Sequence, residues 1–465
     1  MKSINLLNPY VWAWFVITIV EYLWLDSVSK QPVDFNTVSW IITFNLLGQL
    51  FTLSQKKEPM VSFFTAFIVF YYVFHFGQVV LLGLFPKYEY DYMNYVTSYM
   101  TNETILHETL KLCIICINMF FIGGLILRYK ANDEYSGKVI LNAKNIGKIT
   151  FFIFFPFRLL FDGILIVSSA MGGYMAAQSI NTVIPGVFAA LAALWYATIP
   201  LYYIELKSNK EKKRFLIIIL LYLLLSMISG MRGLQMVCIV SLFIIVLSEQ
   251  KKLKKKQIIL YGIIGVLGMY FIDILYDLRN VGLNAFLKDY SSAFEDSRNT
   301  NIVLETLGTF GETVYTPYLV VEGYNSSFHP FFGECFIKSI GAVIPDVTGV
   351  FKDFNNDAYF ARRLGTENAI GGSFAGEMYY NFGSLYWLAS LLIGMLFIYV
   401  SNKISIEMKK GNYYQLLLLI PFAVLFIWWV RDTVGDFTRK IVWMAIIIYY
   451  LKSKKLVILN RFRLI

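Results

Sequence analysis

Long apolar runs separated by short polar segments recur along the whole chain. A helix of about 20 apolar residues crosses a hydrocarbon core of about 30 Å, and it satisfies its own backbone hydrogen bonds in lipid. The pattern therefore predicts an all-α, polytopic membrane bundle of about twelve transmembrane helices. The predicted spans lie near residues 9–26, 38–54, 60–84, 105–127, 149–171, 184–206, 215–229, 233–248, 257–276, 379–400, 412–430 and 440–451.

The overall composition agrees with lipid as the solvent of this chain. Hydrophobic residues make up 57% of the sequence and charged residues 15%, whereas soluble proteins contain about 25% charged residues. The net charge of +10 does not indicate a nucleic-acid partner, because the cations cluster in short connections between apolar runs. We therefore expect membrane lipid as a partner and no nucleic acid.

The distribution of lysine and arginine predicts which side of the membrane each connection occupies. With a cytoplasmic N-terminus, 26 cations fall on the cytoplasmic side and 13 on the opposite side, which satisfies the positive-inside rule and places both termini in the cytoplasm. Arginine accounts for four of the 26 and for seven of the 13. Either this difference arises by chance in a small set, or the outer arginines bind phosphate oxygens through their planar forks.

A long connection of about a hundred residues separates the ninth and tenth predicted spans. It contains two semi-apolar stretches, 302–321 and 331–351, which we interpret as amphipathic or partly re-entrant helices. The expected organisation is a transmembrane bundle over residues 1–276, a large extracytoplasmic loop over 277–378, and further spans with a cytoplasmic tail over 379–465.

Two outer arginines sit where the chain turns next to a predicted span. Arg232 lies in the hairpin Ser229-Gly230-Met231-Arg232-Gly233, where it either serves a site or extends to a lipid headgroup. Arg279 lies at the foot of the long loop, where it either serves a site or pairs with Asp277 as an ordinary anchor.

Two residues near the long loop are candidates for proton transfer. His329 lies within the loop, although a lone histidine is often structural. Glu377 lies in a glycine-rich run over 371–383, at the start of the tenth span, where a carboxylate also stabilises a helix dipole. The glycines indicate backbone packed closely against protein or substrate.

Four further arginines are weaker candidates. Arg158 stands four residues before Asp162 in the fifth span, so the two either neutralise each other or contribute to a site. The others, in the long loop, are Arg298, Arg362 and Arg363. No Walker-type loop, GxGxxG or HExxH pattern occurs, and we assign neither a metal nor a cofactor.

The Gly-x-Arg-Gly hairpin, the long late loop and the sequence Glu377-x-x-x-Asn381-Phe382-Gly383 resemble Wzy-type O-antigen and capsule polymerases, also called oligosaccharide repeat unit polymerases. The layout is also similar to that of O-antigen ligases, a sister class among GT-C-like membrane glycosyltransferases. In such ligases an arginine of a short outer hairpin, an arginine at the foot of the long loop and a loop histidine serve the site. By position these are Arg232, Arg279 and His329.

The resemblance implies polymerisation of undecaprenyl-pyrophosphate-linked repeat units at the outer face of the bacterial inner membrane, with a chain-length regulator as a further partner. Arg232 and Arg279 would stabilise the pyrophosphate leaving group without metal, and Glu377 or His329 would be the base. Arg298, Arg362, Arg363 and Arg158 would position the acceptor or the loop.

Two other functions fit parts of the same pattern. A ligase would differ only in its acceptor. A lipid-linked oligosaccharide flippase or other transporter would also fit about twelve spans. Transporters usually contain repeated halves with sites near the bilayer midplane, and the sequence contains no internal repeat.

Overall fold

The structure is a computed structural model. It describes residues 2–4, 8–56, 61–88, 94–129, 145–184, 186–227, 233–249, 301–326, 333–341, 343–344 and 371–453. Nearly all described residues in regular structure are helical, which confirms the all-α class. The exception is a short antiparallel pairing of β1 (Lys2–Ile4) with β2 (Leu127–Tyr129).

The helices follow the predicted apolar runs closely. In the first half of the chain they are α1 (Pro9–Ser27), α2 (Phe35–Gln55), α3 (Phe63–Leu84), α4 (Tyr95–Ser98), α5 (Glu103–Ile126), α6 (Ile146–Val183), α7 (Gly186–Glu205), α8 (Asn209–Ser226) and α9 (Gly233–Glu249). In the second half they are α10 (Ile302–Phe310), α11 (Tyr315–Ser326), α12 (Glu334–Gly341), α13 (Phe374–Phe382), α14 (Tyr386–Lys410), α15 (Tyr413–Trp428) and α16 (Val434–Ser453). Short 3₁₀ segments join α10 to α11 and α13 to α14.

Six helical stretches of the described chain are long and apolar enough to cross a membrane. These candidate spans are Phe35–Gln55, Phe63–Leu84, Glu103–Ile126, Ile146–Ser169, Gly186–Glu205 and Phe374–Lys410. The chain is therefore a membrane protein, while the total of about twelve spans and the GT-C-like arrangement stay predictions. The ninth predicted span, 257–276, lies outside the described residues.

Helix α6 extends well beyond its predicted span. The apolar window ends near residue 171, but the helix continues to Val183. The added segment contains Met175, Ala176, Ala177 and Gln178, which are strong helix formers. A continuous apolar run predicts which part of a helix can lie in lipid, but it does not predict the residue at which the helix ends.

The described residues form two compact units, each described separately. Unit 1 is drawn from Met1–Glu134, Leu304–Lys403 and Trp429–Arg439. Unit 2 is drawn from Tyr135–Val303, Ile404–Trp428 and Lys440–Ile465. The sequence-based division at residues 277 and 378 stays a prediction, because most of that segment lies outside the described residues.

Helix α5 is the central helix of unit 1, where its 18-residue apolar window is buried throughout. Phe120 of α5 packs against Phe67 of α3 with a ring-centroid distance of 4.4 Å. A polar network also reaches α5, because Asn118 donates to the Glu21 carboxylate at 2.7 Å and accepts from Gln49 at 2.9 Å. Side-chain hydrogen bonds between helices hold helices together where lipid supplies no hydrophobic driving force.

Part of the predicted extracytoplasmic loop belongs to unit 1 and packs directly onto α3. Gly311, which follows α10, lies against Gly77 and Gln78 of α3 so closely that a Cβ atom at either glycine would overlap the facing backbone. The Gln78 side chain donates to the Gly308 carbonyl at 3.1 Å. The predicted helical stretch 302–321 is helical, and helix continues to Ser326. It packs against α3, a candidate membrane span, near Gly77, seven residues before the end of that span.

Helices α5 and α14 also meet at a close approach made by glycine. A Cβ atom at Gly394 would overlap the carbonyl oxygen of Phe120, and one at Gly123 would overlap the carbonyl oxygen of Leu391. Small residues at such crossings let two helix backbones come together.

We predict that Gly394→Ala destabilises the protein by about 1–3 kcal/mol, because the added methyl group forces the two helices apart. The measurement is the thermal unfolding midpoint in detergent. Gly163→Ala is the matched control, because no atom lies within 4 Å of a Cβ atom at this position in α6. Equal midpoints for the two variants would contradict the close crossing.

Candidate functional site

The start of α13 contains Glu377, one of the two candidate bases and the one that lies within the described residues. Ser373 caps this helix, since its hydroxyl accepts the Gly376 amide at 3.2 Å. The same hydroxyl lies 2.8 Å from Nε2 of His75 on α3, and both side chains are fully buried. The capping bond and the histidine contact fix where the first turn of α13 begins in unit 1.

The Glu377 carboxylate is buried, with 1% of the residue exposed, and it accepts hydrogen bonds from Trp429 and Val434. The Trp429 indole Nε1 donates to one oxygen at 2.6 Å, and the Val434 amide lies 2.9 and 3.0 Å from the two oxygens. Val434 is the first residue of α16, so the carboxylate sits at the N-terminus of a helix other than its own. The positive end of the α16 dipole favours a negative charge at this position.

Each residue of the predicted Glu-x-x-x-Asn-Phe-Gly pattern has a specific structural contact. One helical turn after Glu377, the Asn381 side chain donates to the Glu377 backbone carbonyl at 2.7 Å. Gly383 ends α13 with φ of 50°, in the left-handed region that favours glycine. Phe382 packs on Phe336 of α12 with a ring-centroid distance of 5.5 Å.

Aromatic rings enclose the indole that binds Glu377. Phe437 stacks on Trp429 with a centroid distance of 5.5 Å and an interplanar angle of 7°. Phe374 and Phe336 meet the same ring edge-on at 5.1 and 6.0 Å. This packing restricts the indole to an orientation that points its N–H group at the carboxylate.

The glycine run before α13 packs against protein. A Cβ atom at Gly372 would overlap the backbone of Asp432, and one at Gly371 would lie 3.3 Å from the Arg431 carbonyl oxygen. The Gly371 carbonyl in turn accepts the Thr316 hydroxyl at 2.9 Å. Between the two sequence-based possibilities, protein or substrate, the structure supports protein at these two glycines.

One accessible arginine borders this part of unit 1. Arg431 pairs with Glu312 at 2.5 Å, and its guanidinium carbon lies 5.8 Å from the centroid of the Phe74 ring. About a third of each side chain of the pair is exposed, at 31% and 29%. Arg431 is therefore a fixed cation that already has a carboxylate partner.

The predicted pairing of Arg158 with Asp162 occurs, and it lies inside unit 2. Both residues are 3% exposed and form a two-pronged ion pair. The Tyr222 hydroxyl of α8 donates to the same Asp162 carboxylate at 2.7 Å. The Arg158 guanidinium also lies over the Tyr196 ring at 4.6 Å. The structure thus shows mutual neutralisation within a cluster that joins α6, α7 and α8.

The other predicted site residues cannot be compared with the structure. Arg232, Arg279, His329, Arg298, Arg362 and Arg363 all lie outside the described residues. Their proposed roles stay predictions. Within the described ranges, no group of three His, Cys, Asp or Glu side chains is arranged to hold a metal ion.

Sequence reasoning missed Trp429 and Tyr222, which donate hydrogen bonds to Glu377 and Asp162. Trp429 is one of two adjacent tryptophans at the end of a predicted span, a pattern equally typical of an interfacial anchor. Tyr222 lies sixty residues from Asp162, so no local spacing connects them. Only a prediction of helix packing could have found either contact.

A model of the family described as O-antigen polysaccharide polymerase Wzy matches residues 10–453, nearly the whole chain. The chain belongs to the Wzy family. Searches of curated proteins and of solved structures give no match. The match confirms the sequence-based resemblance, and it covers both structural units.

Membership of the Wzy family indicates the general function of the chain. The family implies a membrane polymerase of the glycosyltransferase type that acts on lipid-linked oligosaccharide repeat units. Glu377 is the first residue of the Glu-x-x-x-Asn-Phe-Gly pattern on which the sequence resemblance rests. The hydrogen bonds of Glu377 hold α13, the turn at Trp429 and the start of α16 together.

We predict that Glu377→Gln and Trp429→Phe each lower the free energy of unfolding by about 1–3 kcal/mol. The first replaces an acceptor oxygen by an NH2 group that faces N–H donors, and the second removes the indole donor from the buried carboxylate. In the double variant the losses should be smaller than their sum, with a coupling energy of at least about 0.5 kcal/mol. Chemical denaturation of all four proteins measures this coupling. Strict additivity would contradict a direct interaction between the two side chains.

We predict that Arg158→Met destabilises the protein by about 3–5 kcal/mol, because Asp162 would remain charged and buried without its cation. Adding Asp162→Leu should recover much of this loss. Arg214→Met is the control, since Arg214 is exposed near the start of α8. The measurement is unfolding in detergent, and a double variant less stable than Arg158→Met would contradict the neutralisation role.

Proposed function

We propose that this protein polymerises undecaprenyl-pyrophosphate-linked repeat units into O-antigen or capsular polysaccharide at the outer face of the inner membrane. The observation that carries the proposal is the Wzy family match over residues 10–453. The outer-face location rests on the predicted topology, in which the long loop and the hairpin with Arg232 are extracytoplasmic.

The reaction transfers a glycan from its pyrophosphate carrier to a sugar hydroxyl. The acceptor oxygen forms a bond to the anomeric carbon, and the bond from that carbon to the pyrophosphate oxygen breaks. The hydroxyl proton passes to a base, and the leaving pyrophosphate takes the electron pair. The main requirement is therefore stabilisation of the negative charge that develops on the leaving group.

Arg232 and Arg279 are the residues we assign to that charge. A guanidinium remains protonated at every physiological pH and offers parallel donors that match phosphate oxygens. The two arginines supply this stabilisation without a metal ion. Arg298, Arg362 and Arg363 are assigned to the acceptor's pyrophosphate or to ordering of the loop.

Of the two candidate bases, we assign proton transfer to His329, because the surroundings of Glu377 do not suit that role. The Glu377 carboxylate is buried and already accepts hydrogen bonds from Trp429 and Val434. A general base must lie within hydrogen-bond reach of the acceptor hydroxyl, as a loop histidine can. We assign Glu377 to positioning of α13 and Arg158 to positioning within unit 2.

The test is a reconstituted polymerisation assay with purified protein, undecaprenyl-pyrophosphate-linked repeat unit and a chelator, with products resolved by size. We expect a ladder from the wild type, and a rate reduced by at least about a hundredfold in Arg232→Ala and in Arg279→Ala. Arg232→Lys should remain impaired, because a lysine keeps the charge but loses the fork.

The control is Arg214→Ala, which removes a cation from the predicted cytoplasmic side and should leave the ladder unchanged. Full ladders from both outer-arginine variants would overturn the leaving-group assignment. A single transfer to an unrelated acceptor, without a ladder, would indicate a ligase.

A further inference from the structure

A cavity of about 460 Å³ opens in unit 1 between α1, α5 and the start of α14. We call it the α1–α5 groove. Its volume lies within the range of about 300–1,000 Å³ that is typical of ligand sites. None of the predicted site residues lines it.

One end of the groove is charged. Lys111 of α5 donates to Asp26 at 2.8 Å and to Glu108 at 2.7 Å, and its ammonium group lies 5.2 Å from the centroid of the Tyr22 ring. The two carboxylate side chains are 56% and 37% exposed, while the lysine side chain is 10% exposed. Partly exposed charges in a membrane protein lie near the lipid–water interface, so this end marks the mouth of the groove.

The rest of the groove along α1 and α5 is apolar. On α5 it extends from Lys111 to Met119, a distance of about 12 Å along the helix. Opposite lie Phe15 and Ile19 of α1. The one hydroxyl that α1 contributes below the mouth, that of Thr18, donates to the Trp14 carbonyl at 2.7 Å.

These features determine what can occupy the groove. Further polar lining groups, those of Tyr379, Ser384 and Tyr386, lie in the segment from α13 to the start of α14. Below the mouth, the α1 and α5 walls offer no free group to pair with sugar hydroxyls, so this stretch of the groove does not suit a glycan. The mouth has two carboxylates for one ammonium, so it repels a diphosphate or an anionic headgroup. A lipid chain fits the apolar walls, and it avoids the negative charge at the mouth if its anionic headgroup is bound outside the groove.

We infer that the α1–α5 groove binds a segment of the polyisoprenoid chain of the lipid-linked substrate. The inference rests on the proposed function, because the family acts on lipid-linked repeat units. The groove would hold the lipid by chain contacts, while the diphosphate is bound by arginines outside it. Lys111 then serves to neutralise its two carboxylate neighbours and does not bind phosphate.

The test uses the full-length protein in phosphatidylcholine nanodiscs and undecaprenyl phosphate with a diazirine on its chain, without glycan. After photolysis, we expect labelled peptides from residues 15–23 and 108–119, and unlabelled undecaprenyl phosphate should compete. Ile19→Trp should reduce the labelling about tenfold or more, because the indole displaces several methylene groups of the chain.

Val20→Trp is the matched control. Val20 adjoins Ile19 on α1 and is similarly exposed, at 58% against 45%, but does not line the groove. It should label like the wild type, and both variants should unfold at the same temperature. Labelling spread over all lipid-facing helices, or equal labelling of the two variants, would show bulk lipid contact and overturn the inference.

Polymerisation of lipid-linked repeat unit, measured in parallel, separates this inference from the proposed function. A wild-type ladder with equal labelling of both variants would overturn the groove alone. Selective, competed labelling in a protein that makes no ladder would retain the groove and overturn the proposed function.

Discussion

A charge inside a membrane protein must be neutralised by its neighbours, because lipid offers neither water nor counterions. In unit 1 the Glu377 carboxylate binds an indole N–H group and the amide that begins α16. In unit 2 Arg158 pairs with Asp162, which also accepts the Tyr222 hydroxyl. Each cluster joins chain segments that are distant in sequence, so the same contacts that neutralise the charge also fix the helix packing.

This constraint separates two classes of charged residue in the protein. The Glu377 carboxylate and the Arg158-Asp162 pair are buried and hydrogen-bonded within the protein, so we assign them to positioning. The negative charge that develops on a leaving pyrophosphate needs cationic donors held in place around it. We assign this role to Arg232 and Arg279, in the predicted outer hairpin and long loop.

The sequence predicted the features that depend on local pattern, such as helix positions, but few of the contacts that depend on how the helices pack. Apolar runs identified the helical class and most helix positions, and the spacing of Arg158 and Asp162 indicated their pairing. It could not show that Glu377 caps α16 rather than its own helix, since the contact with Val434 crosses 57 residues. Nor could it decide between protein and substrate beside Gly372, because close backbone approach is a property of tertiary structure.

The most direct measurement is an experimental structure of the protein in lipid with a non-transferable analogue of the undecaprenyl-pyrophosphate-linked repeat unit. We expect the guanidinium groups of Arg232 and Arg279 to lie about 2.7–3.2 Å from oxygens of the diphosphate. The Glu377 carboxylate should still bind Trp429 and Val434. Two arginines that point apart, with the diphosphate bound by other residues, would contradict the proposed mechanism.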